Sequence, residues 1–323
     1  MHNKTVRAFA LLVAFTGMLS GQSGSVQNAA DRLSLPLLGY TNSGGFATTT
    51  QFYIGGSQFP QLAPRSLAII TSVNLISVPG NFSPAATVSL RSAGSATLLP
   101  AQVVATDLIT ITFVVPPESP AGPAQLIYTV AGRTNWIEVA IVPASFAFYR
   151  NANPGPPLAQ QFAVNGAVSL NGLANPAQPG QAVVLWGSGL GKTPAADIAV
   201  ALGGVPQTVQ FAGASPNLPG VDQINIQISP GTPQGCYVPL VLTYGTNTVS
   251  SFLSVTQDGS ACPHPFQLSA RDLKALDLGG TIAAGSIDIA SGLIVATGDH
   301  ASRQESAGVS FSPLTASQIA AAL

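Results

Sequence analysis

Charge is what this chain has least of. Asp, Glu, Lys and Arg make up 7% of its 323 residues, against roughly 25% in an average soluble domain. The net charge of −1 excludes a basic field for nucleic acid and an acidic one for cationic partners. Histidine is equally scarce, with three in the chain, and Glu118, Glu138 and Glu305 are the only glutamates. Paired carboxylates for glycoside hydrolysis are therefore hard to assemble. Long hydrophobic runs are missing beyond the N-terminus, so no later segment could cross a hydrocarbon layer of ~30 Å as a helix. What is there instead is 33 Gly, 26 Pro and a wealth of Ser, Thr, Gln and Asn. That is the profile of a β-rich extracytoplasmic protein whose solvent faces carry hydroxyls and amides.

The N-terminus agrees with export. Lys4 and Arg7 precede an apolar core at residues 8–19, and SGQSGS at 20–25 supplies small residues for cleavage. The core is too short for a membrane-spanning helix, so residues 1–21 read as a signal peptide. No cysteine stands near the cut to carry a lipid anchor. The expected location is secreted, periplasmic or cell envelope, with no transmembrane segment after cleavage.

Two cysteines, Cys236 and Cys262, bracket an expected hairpin, YVPLVLTYGTNTVSSFLSV. Residues just before one strand and just after its antiparallel partner lie at the same end, within bridging reach. A disulfide is the expectation; two buried free thiols, the alternative, fit an oxidising compartment poorly. His264 is a lone extra donor, so no metal site is expected.

The chain repeats itself. Residues 63–75, APRSLAIITSVNL, and 178–190, QPGQAVVLWGSGL, share a proline, a polar turn, an apolar run and a small-residue turn closed by leucine. A repeat of about 110 residues is a whole β-sandwich domain rather than a solenoid unit. Short period-2 runs rich in β-branched residues, broken by Gly and Pro, mark strands at 51–54, 66–73, 86–90, 97–104, 108–115, 124–130 and 135–142. A second set falls at 181–187, 198–202, 206–212, 222–228, 237–244 and 248–256. The resulting organisation is signal peptide 1–21, lead-in 22–50, sandwich one 51–145, and a Pro-rich linker and hairpin 146–175 with an Asn165-Gly166 turn. Sandwich two follows at 176–262, then a small tail at 263–323. The tail is richer in charge and carries two short helices with capping-box-like starts at Ser269 and Thr315. It reads as a small α+β piece, or as the opening of a larger domain. The fold class is all-β: tandem immunoglobulin-like sandwiches with a small α+β C-terminal segment.

NPAQPGQAVVLWGSGLG at 175–191, LGGVPQTVQFAG at 202–213, VDQINIQISPG at 221–231 and CYVPLVLTYGTNTVSSFLSV at 236–255 occur in order. Together they resemble a family of uncharacterised domains common at the C-termini of exported acidobacterial proteins. The resemblance covers about a third of the chain and implies an immunoglobulin-like fold related to IPT/TIG sandwiches, and export, but no activity. The first sandwich resembles a diverged copy, with Arg65 where the family places glycine.

WGSGLGKT at 186–193 is neither a phosphate loop nor a dinucleotide fingerprint. Trp186 stands where the first needs glycine, and Gly191 follows Gly189 too closely for the second. Ser188 lacks the flanking glycines of a nucleophile elbow. A triad would have to draw on His264 or on His300 beside Asp299, so no catalytic residue is assigned. Asp288 and Asp299 lack the alternating oxygen ligands of a calcium loop. On the strand NWIEVAIV, Ile137, Val139 and Ile141 share one face and Trp136, Glu138 and Ala140 the other. Trp136 with Glu138 is the possible ligand contact, although packing on the linker or second sandwich is the expected use of the ring. Trp186, ending a core strand, is expected to be buried.

The sequence therefore describes a non-enzymatic binding, adhesion or spacer protein that meets a protein or glycan and needs no cofactor. The rival reading makes the sandwiches accessory, carbohydrate-binding-type modules of a polysaccharide-processing protein whose chemistry lies in or beyond the tail.

Overall fold

The computed structural model describes residues 25–28, 60–71, 85–106, 110–130, 132–150, 156–163, 166–264, 266–295 and 301–322. The signal segment, the expected strand at 51–54, Asn165, most of NANPGPP, Asp299 and His300 lie outside the described residues.

The first sandwich is built from β1 (Ser25–Asn28), β2 (Gln61–Leu62), β3 (Leu67–Thr71), β4 (Ala86–Ser92), β5 (Leu99–Thr106), β6 (Thr110–Val114), β7 (Gly122–Val130) and β8 (Arg133–Ile141). Their order is β1-β3-β6-β5-β4-β7-β8-β2, antiparallel except that β2 runs parallel to β8. Strand β5 serves both layers: its start pairs with β4, and from Gln102 it pairs with β6 across a bulge between Val103 and Ala105. A bulge bends a strand enough to let it turn from one sheet into the other. Period-2 patterning fixes the faces. Ala124, Leu126, Tyr128 and Val130 of β7 point inward. They join Leu90, Val139 and Ile141 and meet Ala68, Ile70, Ile111 and Phe113 of the opposite layer. Truncating any large member to Ala would cost about 2–5 kcal/mol.

The second sandwich begins earlier than residue 176. Residues within 146–175 form β9 (Ala147–Phe148), β10 (Ala159–Phe162) and β11 (Val168–Leu170), all tied to β12 (Ala182–Ser188) directly or through β10. Likewise Ser25–Asn28, in the lead-in, adds an edge strand to β3. In each case the neighbour offers an open edge that another strand satisfies. The remaining strands are β13 (Ile198–Leu202), β14 (Val205–Ala214), β15 (Asp222–Gln227), β16 (Gly235–Tyr244) and β17 (Asn247–Val255).

The repeat is visible bond by bond. The six strands β3-β6-β5-β4-β7-β8 match β12-β15-β14-β13-β16-β17 in order. Arg65 N donates to Val115 O and Val115 N to Ser66 O; Gly180 N donates to Ile228 O and Ile228 N to Gln181 O. Leu62 runs parallel to Ile141 as Ala177 does to Val255. The bulge in β5 recurs in β14 between Val209 and Phe211. Gly180 turns its chain at φ +82°, and Arg65 makes the same turn at φ +65°, a left-handed conformation that costs a side-chain-bearing residue about 1 kcal/mol.

Trp186 is not buried as expected. Period 2 sends Leu185 into the core, which leaves Trp186 half-buried on the outer side of β12, its Nε1 donating to Gln160 Oε1 at 2.9 Å.

The tail holds α1 (Ala270–Asp277), β18 (Ile282–Val295), β19 (Ala301–Leu314) and α2 (Ala316–Ala322). Its strands form one hairpin of 14 residues each rather than several weak strands. Ser269 Oγ accepts from Asp272 N, and Thr315 Oγ1 from Gln318 N, as capping boxes do. Leu273, Leu276, Ala316 and Ile319 pack with Leu173 and the disulfide on the second sandwich.

Candidate functional site

The outer face of the sheet β4-β7-β8 presents three cross-strand rows. One row is Arg91, Gln125 and Glu138, the next is Ser89, Ile127 and Trp136, and the third is Thr87, Thr129 and Thr134. Trp136 is 60% exposed, so the described residues leave its ring open rather than packed on the second sandwich; linker residues 151–155 lie outside the described residues. Its ring stands between two polar rows whose groups already hold one another. Arg91 donates to Gln125 Oε1, Gln125 Nε2 donates to Glu138 Oε1 at 3.0 Å, and the hydroxyls of Thr129 and Thr134 are 2.8 Å apart. Arg91 and Gln125 were not singled out from the sequence; only the register brings them beside Glu138, because β4 and β8 meet through β7.

The second sandwich uses the matching face differently. Where the first has Arg91, Gln125 and Glu138, it has Gly203, Pro239 and Phe252; where the first has Trp136, it has Ser250. Towards the disulfide end its own chain covers it. Phe252 meets Tyr237 edge to face with ring centroids 5.2 Å apart, and Tyr237 meets His264. Ser254 is buried, its backbone carbonyl and amide paired with the Asn171 side chain.

Cys236 and Cys262 are bridged, with Cα atoms 5.4 Å apart, in the core that joins tail to sandwich. Beside them His264 Nδ1 accepts from Phe266 N, and its Nε2 lies 2.9 Å from the Tyr237 hydroxyl. Burial holds the imidazole below its ordinary pKa and pushes the Tyr237 hydroxyl up to about 12. Asp277, at the end of α1, accepts from Leu173 N at 2.7 Å and Ala174 N at 2.9 Å. Burial raises its carboxyl even so.

Ser188 and the glycine turn after it belong to the junction between the sandwiches. Fully buried Ser188 donates through Oγ to Gly220 O at 2.7 Å and accepts from Leu67 N at 2.9 Å. The Arg65 guanidinium donates to Gly191 O, Ser145 N donates to Gly189 O, and a Cβ at Gly191 would strike Pro143 O. The charged group at the centre is Asp222, 5% exposed, whose Oδ2 accepts from Leu190 N at 2.7 Å. Burial pushes this carboxyl up to about 6, although the Leu190 and Gly189 amides and the nearby Arg65 all pull it down. Asp222 carried no sequence signal beyond being a lone carboxylate at a strand start. Arg65 did carry one, since it replaces the expected glycine.

Among the described residues no group of three or more His, Cys, Asp and Glu is placed to hold a metal ion, and no helix is long and apolar enough to cross a membrane.

No protein-family model matches the chain, and no curated protein does. Among solved structures it is similar to the Bacteroides ovatus protein SGBP-B of a mixed-linkage glucan utilization locus, solved with a mixed-linkage heptasaccharide. The identity is 16%, over 61% of this chain and 42% of that one, with a TM-score of 0.21. It is similar to the I9-I11 tandem of titin at 9% identity, over 79% of this chain and 94% of that one, with a TM-score of 0.20. Domains 5-6 of the S-layer protein SbsC share 11% identity over 62% of this chain and 93% of theirs, with a TM-score of 0.24. The chain thus spans less than half of the SGBP-B chain, and likenesses this distant carry no functional argument.

Proposed function

We propose that this is an exported, non-enzymatic binding protein of the cell envelope or extracellular space. In this reading it meets a protein or glycan through the outer face of its first sandwich, with the second sandwich and tail as spacer. The observation that carries the reading is Trp136, a large ring open to solvent on the same outer sheet face as Glu138. The disulfide supports an oxidising compartment, and the resemblance of residues 175–255 to domains of exported acidobacterial proteins belongs with it. The side chains of the types a hydrolase uses support it too. Ser188 is engaged in the junction and His264 in an aromatic cluster of the tail, so each has a structural use.

The test is co-sedimentation of the chain from residue 22 onward with isolated cell envelopes and a panel of insoluble polysaccharides. The wild type should sediment with at least one matrix and Trp136→Ala should stay in the supernatant. A wild type that stays soluble with every matrix overturns the proposal.

A further inference from the structure

Resting on that reading of the Trp136 face, we propose that its ligand is an uncharged polysaccharide, one of whose pyranose rings stacks on Trp136. Three features of the face lead there. A pyranose carries an apolar C–H face that lies flat on the electron-rich face of an indole, and Trp136, 60% exposed, has ring surface open for such a contact. Alternate residues on one side of a strand are about 7 Å apart. The Gln125–Glu138 and Thr129–Thr134 pairs therefore flank the ring at the reach of a stacked sugar's hydroxyls.

The third feature is the balance of donors and acceptors. Every sugar hydroxyl both donates and accepts, and the rows offer both. Arg91 supplies N–H donors beyond the one given to Gln125. Glu138 has acceptor capacity beyond its bond from Gln125, and the bonded Thr129–Thr134 hydroxyl pair keeps one O–H to donate and lone pairs to accept. One cation and one carboxylate, joined through Gln125, leave the row without net charge. A polyanion gains nothing there and a neutral chain loses nothing. A tryptophan anchoring a protein interface is ringed by contacts that keep water out. Instead the neighbouring rows are hydroxyls, an amide and a charge pair.

The experiment is affinity electrophoresis of the chain from residue 22 onward through gels containing hydroxyethylcellulose, galactomannan, dextran or polygalacturonate. Trp136→Ala and Trp136→Phe run alongside, each checked for wild-type thermal unfolding. At least one neutral polymer should retard the wild type, with binding at least tenfold weaker in Trp136→Ala and partly restored in Trp136→Phe. In a Trp186→Phe background, where Trp136 is the remaining tryptophan, the same polymer should shift the fluorescence emission. Retardation by polygalacturonate alone, abolished by salt, overturns the proposal. So does Trp136-dependent sedimentation with cell envelopes while no neutral polymer retards the protein, an outcome that keeps the face and assigns it to a protein. Loss of both envelope and polymer binding overturns the two readings together.

Discussion

Replacing Asp222 by Asn should remove a pH dependence from the stability of this protein. The carboxyl is almost fully buried at the junction. Burial outweighs the bonds from Leu190 and Gly189 and the charge of Arg65, lifting its pKa from 3.8 to about 6. A carboxyl whose pKa is higher folded than unfolded holds its proton more tightly in the fold. Its stabilising contribution is therefore complete below the unfolded pKa and is lost as the pH rises through the folded one. At about 1.4 kcal/mol per pH unit, that interval amounts to about 3 kcal/mol. Asn keeps the shape and an acceptor oxygen for Leu190 N but never ionises, so it should lack this loss. Urea denaturation of wild type and Asp222→Asn from about pH 4 to pH 8 reads it directly, because every other titration is shared and cancels in the difference. Wild-type stability minus variant stability should fall by about 2 kcal/mol from pH 4 to pH 7, the rest of the interval lying below pH 4, and then stay level. A flat difference, or one rising with pH, refutes the reasoning. It would mean that Arg65 and the two amides hold the carboxylate ionised in spite of its burial.

Two further substitutions test the frame. Gly191→Ala should destabilise the junction by at least about 2 kcal/mol, because the new methyl strikes Pro143 O and the residue sits at φ +60°; faster proteolysis between the sandwiches, with each core intact, would show it. Removing the disulfide by Cys236→Ala with Cys262→Ala, a closure spanning 26 residues, should cost about 3 kcal/mol in the chain-entropy model. Thermal unfolding of the double variant checks this, and an unchanged melting temperature would count against it.

The sequence carried the parts of this fold that rest on local chemistry. Pro64 and Pro179 announce the two turns, the β-branched runs behind them announce paired strands, and Ser269 and Thr315 announce helix starts. The edges were hidden, because an edge strand such as Ala147–Phe148 or Ser25–Asn28 is short and is defined by the neighbour it completes. Trp186 misled for a related reason: both neighbours on β12 are buried, so an apolar run there does not show which residue turns outward. The candidate site was half legible. Alternation along β8 put Trp136 and Glu138 on one face, whereas Arg91 and Gln125 reach Glu138 only through pairings between strands, which no local pattern encodes. Asp222 was invisible, since its environment comes from Leu190, Gly189 and Arg65, all distant in sequence.

The two sandwiches together separate what the fold requires from what it permits. The paired bonds at Arg65 and Gly180, the bulges in β5 and β14 and the parallel contacts at Leu62 and Ala177 recur. Each satisfies backbone groups that would otherwise be left unpaired. The outer face is under no such demand. At the position of Trp136 the second sandwich has Ser250, so the frame accepts a small hydroxyl there and an open tryptophan adds little to packing. Stability therefore does not account for the ring. In the second copy the face is partly occupied by the chain's own tail, through Phe252, Tyr237 and His264. In the first copy the same ground is uncovered and carries the largest side chain in the repertoire, flanked by groups that both donate and accept. One copy uses part of its outer face to hold the tail, and the other leaves Trp136 open there, as the proposed binding face requires.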